Sequence, residues 1–407
     1  MKLKKYCYLI LITFIFGGSP NDSYVLLISF DGFRADYLDW YDTPNFDRLA
    51  ENGVKAKGLK PCFVSKTFPN HYSIATGMYI ENHGLIGNHF YDEKLDEYYT
   101  LSDRSKVEDA RFYGGEPIWV TAEKQGVKSA SYFWAGSAAP IGGVRPNIWK
   151  KYDHNFPFPA RVDSVAKWFS LPEKKRPHLI MLYFHEPDGT GHDYGPKSPK
   201  TKAMVDSMDS IMGEIMTTME SLEISPNLNI IVLADHGMAA LSPERTIDLS
   251  DYANLSEIEQ EGSGPFSFLY RKDKQPFDSI VKRLKSVPHL STYKKNEIPD
   301  RYHFKNHYRI KDVLLVADEG WYILEKKYFG MDKLNLKFLQ GGTHGYDNEL
   351  RSMHAIFLAD GPAFKDGYTR STFENIHVYP LIAKILGLKP YEKIDGRLEK
   401  VEDLLKN

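Results

Sequence analysis

YVLLISFDG, residues 24–32, decides the fold. Seven residues that favour extended backbone run without polar alternation and stop at Asp31-Gly32. A strand apolar on both sides is buried on both faces, as in a parallel sheet. The arrangement recurs: Leu179–Phe184 leads through His185-Glu186-Pro187 to Asp188, and Leu228–Ala234 leads to Asp235-His236-Gly237. A fourth run, Ala355–Ala359, ends at Asp360 with no metal-binding residue type beside it and is read as structural. Helical patterns lie between, at Asn45–Asn52 (closed by Gly53) and Thr201–Leu222. This alternation predicts an α/β fold, a doubly wound, mostly parallel sheet with helices on both faces. Ligands of such sheets bind beyond the carboxyl ends of the strands. Asp31, Asp188 and Asp235 are therefore expected to meet at one edge.

Three carboxylates brought together repel one another unless something positive holds them or their pKa values rise. Histidines accompany them. His192 lies four residues after Asp188, His236 follows Asp235, and His344 stands in Gly341-Gly-Thr-His344-Gly. Asp with His is a donor set suited to zinc. Three of each divide into two sites, and two metals about 3.5–4 Å apart clamp an in-line displacement at phosphorus.

SKTFPNH, residues 65–71, holds a threonine that is a turn residue or a nucleophile. The heptapeptide alone reads as loop chemistry. His71, four places after Thr67, suggests a hydroxyl–imidazole pair.

The net charge is -2 and no long basic run occurs, which gives no support to nucleic-acid binding driven by charge, and no sequence-specific nucleic-acid partner is expected. The amino terminus has a basic start, an apolar run at Tyr6–Phe16 and small residues at Gly17-Gly18-Ser19. That is the layout of a signal peptide over residues 1–20, too short to span a membrane. Its removal takes Cys7 and leaves Cys62 unpaired. Export without disulfides fits a bacterial periplasm or a secreted protein.

The chain resembles the nucleotide pyrophosphatase/phosphodiesterase family of the alkaline-phosphatase superfamily, in its bacterial form. The matching motifs are Phe-Asp-Gly-Phe-Arg (30–34), Lys-Thr-Phe-Pro-Asn-His (66–71), Thr-Gly-Met-Tyr-x-Glu-Asn-His-Gly (76–84), Glu-Pro-Asp-x-x-Gly-His-x-Tyr-Gly-Pro (186–196), Ala-Asp-His-Gly-Met (234–238), Ala-Asp-Glu-Gly-Trp (317–321) and Gly-Thr-His-Gly-Tyr (342–346). The resemblance implies an alkaline-phosphatase-like domain over residues 22–400, with a small α+β cap inserted at about 241–335. It implies Thr67 as nucleophile and two Zn2+. One would be held by Asp31, Thr67, Asp235 and His236, the other by Asp188, His192 and His344. Asn88 would contact the phosphate. Phe68 and Tyr183 would stack the base, and Trp134 and Tyr194 would line the pocket. His71 receives no ligand role. The implied substrate is a small nucleotide or other phosphodiester. A phosphomonoesterase or a lysophospholipid-type phosphodiesterase on the same two-zinc core is the alternative, which Lys66 and Arg145 leave open. A catalytically silent binding protein is the third reading, and the complete set of ligand and nucleophile residue types argues against it. Ala135 and Ala138 replace the family's usual proline and acidic residue, so substrate choice is where this chain departs from the pattern.

Overall fold

The computed structural model describes residues 22–331, 336 and 339–406. The expected signal segment, 1–20, lies outside the described residues. The main sheet has eight strands: β1 (Tyr24–Phe30), β2 (Val54–Ala56), β3 (Ser129–Tyr132), β4 (Ile148–Lys150), β5 (Leu179–Phe184), β6 (Leu228–Leu233), β7 (Phe357–Asp360) and β8 (Tyr368–Arg370). Their order across the sheet is β8-β2-β7-β6-β1-β5-β3-β4. All seven residues of β1 are buried, which is why it reads as apolar on both faces. It pairs in parallel with β5 on one side and β6 on the other, so the three strands with carboxylate ends are neighbours.

Strand β7 alone runs against its neighbours β6 and β2. Its terminal Asp360 pairs with Ile230 near the start of β6, at the edge opposite the carboxylates. There Asp360 Oδ1 accepts the Gly361 N–H at 2.7 Å. The structural reading of this aspartate follows from strand direction.

Helices α1 (Pro44–Asn52), α2 (Thr67–Thr76), α3 (Asp188–Tyr194), α4 (Pro199–Glu220) and α5 (Val378–Ile385) complete the core layers. Helix α1 is docked by charge as well as burial. Asp209 of α4 accepts the Asn45 and Phe46 N–H groups at 3.0 and 3.1 Å, and an anion there satisfies the positive end of a helix. Residues 259–317 build a separate antiparallel sheet in the order Glu259–Glu261, Phe266–Tyr270, Val313–Ala317, Leu290–Lys294, with one helix, Asp278–Leu284. One face of this sheet has its own core, with Leu249, Leu269, Leu284 and Leu315, while Phe266, Phe268, Leu314 and Val316 on the other face join the core of the main sheet. Arg309 ties this unit to the main body by donating to Asp92 Oδ2 at 2.6 Å and to the Gly84 and Phe112 carbonyls at 2.6 and 2.8 Å. Among the described residues no helix is long and apolar enough to cross a membrane.

Candidate metal centre and active site

Asp31, Asp188 and Asp235 meet just beyond the ends of β1, β5 and β6. The loops lock together: the Asp188 N–H donates to the Asp31 carbonyl at 3.0 Å, and the Gly32 N–H to Asp235 Oδ1 at 3.1 Å. Gly32 has φ +66, and a Cβ there would lie 2.8 Å from the Asp188 Cβ. Only glycine permits both the left-handed turn and this approach.

The three predicted histidines join this cluster. His192 and His344 bring Nε2 to 3.4 and 3.7 Å from Asp188 Oδ1. His236 Nε2 lies 2.9 Å from Asp235 Oδ2, 3.5 Å from Asp31 Oδ1 and 3.3 Å from Thr67 Oγ1. Each of the three turns Nδ1 to a backbone carbonyl: Gly342 at 2.9 Å for His192, Gly237 at 3.0 Å for His236, Ser65 at 2.6 Å for His344. A carbonyl only accepts, so Nδ1 carries a proton and Nε2 of each ring faces the cluster. Burial opposes a charge on His236, but Asp235 beside its Nε2 raises the His236 pKa overall.

Asp31 Oδ1, Asp188 Oδ1 and Asp235 Oδ2 are buried without a hydrogen-bond partner among the described residues. Burial, then the charges of Asp235 and Asp188, push the Asp31 carboxyl well above the ordinary range. Burial opposes ionisation of Asp235 too, but His236 and then His71 hold it well below that range. Burial, then His236, Lys66 and His192, keep His344 neutral. Three imidazole nitrogens facing three orphaned carboxylate oxygens are a donor set for divalent cations, and the residues fit such a group. Two of the compact ligand groupings are Asp188–His192–His344 and Asp31–Asp188–His236.

His71 also reaches the cluster, in a third grouping with Asp31 and Asp235. Its Nδ1 lies 3.0 Å from the Thr67 carbonyl and 3.3 Å from Asp235 Oδ2, and its Nε2 is 2.8 Å from Ser29 Oγ. The carbonyl again requires a proton on Nδ1, so the His71 nitrogen nearest Asp235 has no lone pair for a metal.

Thr67 is the first residue of α2, where the helix has unpaired N–H groups and favours an anion. The next residue, Phe68, donates its N–H to Asn88 Oδ1 at 3.0 Å. Lys66, half-buried, precedes Thr67, and its desolvation, partly offset by Asp188, lowers its pKa to about 8. Its stem passes where a side chain on Gly345 would be, since a Cβ there would lie 2.8 Å from Lys66 Cε.

A cavity of about 640 Å³ opens onto the cluster, and Asp31, Thr67, Phe68, Asn88, Trp134, Tyr183, Asp188, His192 and His344 line it. Tyr183, expected to stack a base, has its hydroxyl on the metal cluster, donating to Asp31 Oδ2 at 2.5 Å. Trp134 is buried and donates Nε1 to the His71 carbonyl at 3.1 Å. Tyr194, expected in the pocket, is 54% exposed and does not line the cavity. It lies two residues past His192 on α3, about 200° round the helix from it. Arg145 is also outside the lining, and its Nε donates to the Ala138 carbonyl. Tyr152 was not singled out by the sequence, yet it lines the cavity beside Phe133 and Tyr183. It follows the short strand β4 in a polar stretch, and no periodicity marks it. No described residue of 241–335 lines the cavity.

A mostly parallel α/β sheet whose carboxyl edge gathers these ligands around a threonine at a helix start is alkaline-phosphatase-like. The model of the Type I phosphodiesterase / nucleotide pyrophosphatase family matches residues 25–347, and the chain belongs to that family. It is 43% identical over 397 residues to a venom phosphodiesterase of Naja atra, an alignment that covers 95% of this chain and 47% of that protein. It is 37% identical over 397 residues to human ectonucleotide pyrophosphatase/phosphodiesterase family member 1, covering 94% of this chain and 42% of the relative. The chain thus spans about half the length of the curated relatives it matches. Among solved structures, murine ectonucleotide pyrophosphatase/phosphodiesterase 5 superposes with a TM-score of 0.87 at 36% identity, covering 94% of this chain and 100% of that one. An inactive threonine-to-alanine form of the murine protein, in complex with AMP, superposes equally well at 35% identity, with the same coverage.

Proposed function

We propose that the chain hydrolyses phosphodiester or pyrophosphate bonds of nucleotides and their derivatives through a phosphothreonine on Thr67. The observation that carries this reading is the set of histidine nitrogens and orphaned carboxylates converging beside the Thr67 hydroxyl. Asp31, Thr67, Asp235 and His236 would hold one Zn2+, and Asp188, His192 and His344 a second. Bound there, zinc supplies Lewis-acid chemistry, lowering the pKa of a hydroxyl and offsetting charge on oxygen.

The remaining steps belong to the chain. Thr67 Oγ attacks phosphorus and the leaving oxygen departs with its bonding electrons. Water then attacks the phosphothreonine, releasing the phosphate monoester and restoring Thr67. Asn88, its Oδ1 occupied by Phe68, is left with an amide N–H for a non-bridging oxygen as charge builds. Phe68 and Tyr183 would favour a planar group in the cavity. The AMP complex of the murine relative supports a nucleotide substrate. Residues 22–400 would form the catalytic unit with 241–335 as its insertion, and the amino-terminal pattern supports export to a periplasm or the exterior.

The test is hydrolysis of p-nitrophenyl-TMP, bis-p-nitrophenyl phosphate and p-nitrophenyl phosphate by the zinc-loaded protein and by Thr67→Ala. Preference for the nucleotide diester, lost in the variant and on chelation, is expected. Preference for p-nitrophenyl phosphate would assign the site to a phosphomonoesterase, and activity undiminished in Thr67→Ala would remove the covalent step.

A further inference from the structure

We propose that Arg104 reads the edge of the substrate's base and makes the site favour keto bases (guanine, uracil, thymine) over the amino bases adenine and cytosine. This rests on the nucleotide reading above and adds the feature that selects among nucleotides.

The path from the metal cluster to Arg104 is continuous. The Tyr183 hydroxyl is on Asp31 Oδ2. The Tyr183 ring centroid lies 6.5 Å from that of Tyr152, and the Arg104 guanidinium carbon lies 6.0 Å from the Tyr152 centroid. All three side chains line the cavity. A base laid against Tyr152, with its phosphate at Thr67, has an edge within reach of Arg104.

The wall formed by residues 101–107 and 133–138 offers little else to recognise that edge. Leu101, Val107, Phe133, Ala135 and Ala138 are apolar. Its two other polar side chains are engaged inward, Trp134 Nε1 with the His71 carbonyl and Ser137 Oγ with the Trp134 carbonyl at 2.7 Å. Arg104 is held at one corner, by Glu108 Oε1 3.2 Å from Nη2, its Nε is buried without a hydrogen-bond partner among the described residues, and Nη1 is left as the donor for a base edge. The protein therefore anchors the guanidinium without saturating it.

A guanidinium only donates. It matches O6 and N7 of guanine or O4 of uracil and thymine, and it meets a competing donor at N6 of adenine or N4 of cytosine. Because GMP and AMP, or UMP and CMP, present rings of the same size to stack, the keto–amino contrast within each pair isolates the edge contact.

The experiment measures kcat/KM of the zinc-loaded enzyme for the p-nitrophenyl 5′-esters of GMP, AMP, UMP and CMP, in the wild type, Arg104→Lys and Arg104→Met. The expected result is a preference of about tenfold for the keto member of each pair, carried mainly by KM. It should shrink in Arg104→Lys and vanish in Arg104→Met. Equal rates within each pair in the wild type would overturn the proposal. So would a preference that survives Arg104→Met, which would place the reading on another group such as Lys150. A uniform loss over all four esters would make Arg104 a phosphate contact and overturn it as well. Calorimetric binding of GMP and AMP to Thr67→Ala gives the same contrast without turnover. Failure of the wild type to cleave any of the four would instead sink the nucleotide reading on which the proposal rests.

Discussion

The Phe68 backbone N–H donates to Asn88 Oδ1 at 3.0 Å, so the residue after Thr67 fixes which end of the Asn88 amide meets the cavity. A backbone N–H cannot accept, hence Oδ1 must face it and Nδ2 remains as a donor for substrate. Asn88→Asp keeps the acceptor and replaces the donor with negative charge. The expected outcome is a fall in kcat of about a hundredfold, with little change in melting temperature. Stopped-time assays beside thermal scans check it, and turnover within a few-fold of wild type would remove Asn88 from the reaction.

Without a cation, the carboxylate cluster opposes folding. Asp31→Asn should therefore raise the melting temperature of the chelated protein above that of chelated wild type, because it removes a buried like charge. Wild type should gain about 4 kcal/mol when zinc is added at a thousandfold excess over its Kd. The variant should gain much less. Thermal scans with chelator and with zinc decide the matter, and a chelated variant less stable than chelated wild type would contradict this account.

Tyr183→Phe removes the hydroxyl that holds Asp31 Oδ2 and leaves the ring. Partners of this kind orient a ligand and typically contribute about 10- to 100-fold to metal affinity. Competition against a chromophoric chelator should show a loss of that size. Unchanged affinity would confine Tyr183 to packing and substrate contact.

Acid should destabilise the fold through histidines that are buried neutral. His83 accepts the Leu85 N–H at Nδ1 and has Nε2 2.9 Å from Ser73 Oγ, so it carries one proton. Burial, then His307 and Arg309, lowers its pKa to about 3. The unfolded chain binds a proton near pH 6.5 and the folded chain does not. The stabilisation is thus complete above about pH 6.5 and is lost as pH falls toward 3, at about 1.4 kcal/mol per pH unit. His83→Gln should flatten the fall in stability between pH 6.5 and 4.5. Denaturant titrations at several pH values measure both slopes, and parallel slopes would exclude His83 as a source.

The convergence of the Asp and His cluster was legible because its aspartates sit just past the ends of strands, where burial on both faces writes an apolar run and topology gathers the ends. Direction was not legible: Ala355–Ala359 reads the same whichever way the strand runs, and β7 runs backwards. Helix phase explains Tyr194. A motif read as a line keeps it beside His192, while the helical turn carries it to the other side. Tyr152 and Arg104 escaped because a cavity wall made of irregular segments has no period to read.

Helix α2 carries Thr67, Phe68 and His71, and the proposed metal ligands stand just past the ends of β1 and β6, on helix α3 at the end of β5, and on the loop of His344 joined to Ser65. The groups proposed to break the bond are thus joined by hydrogen bonds into one connected unit. The wall at Leu101, Arg104 and Val107 stands instead on the single-turn helix Arg104–Val107 and the turn before it. Substrate preference can therefore be altered by engineering this wall while the reaction itself is left in place.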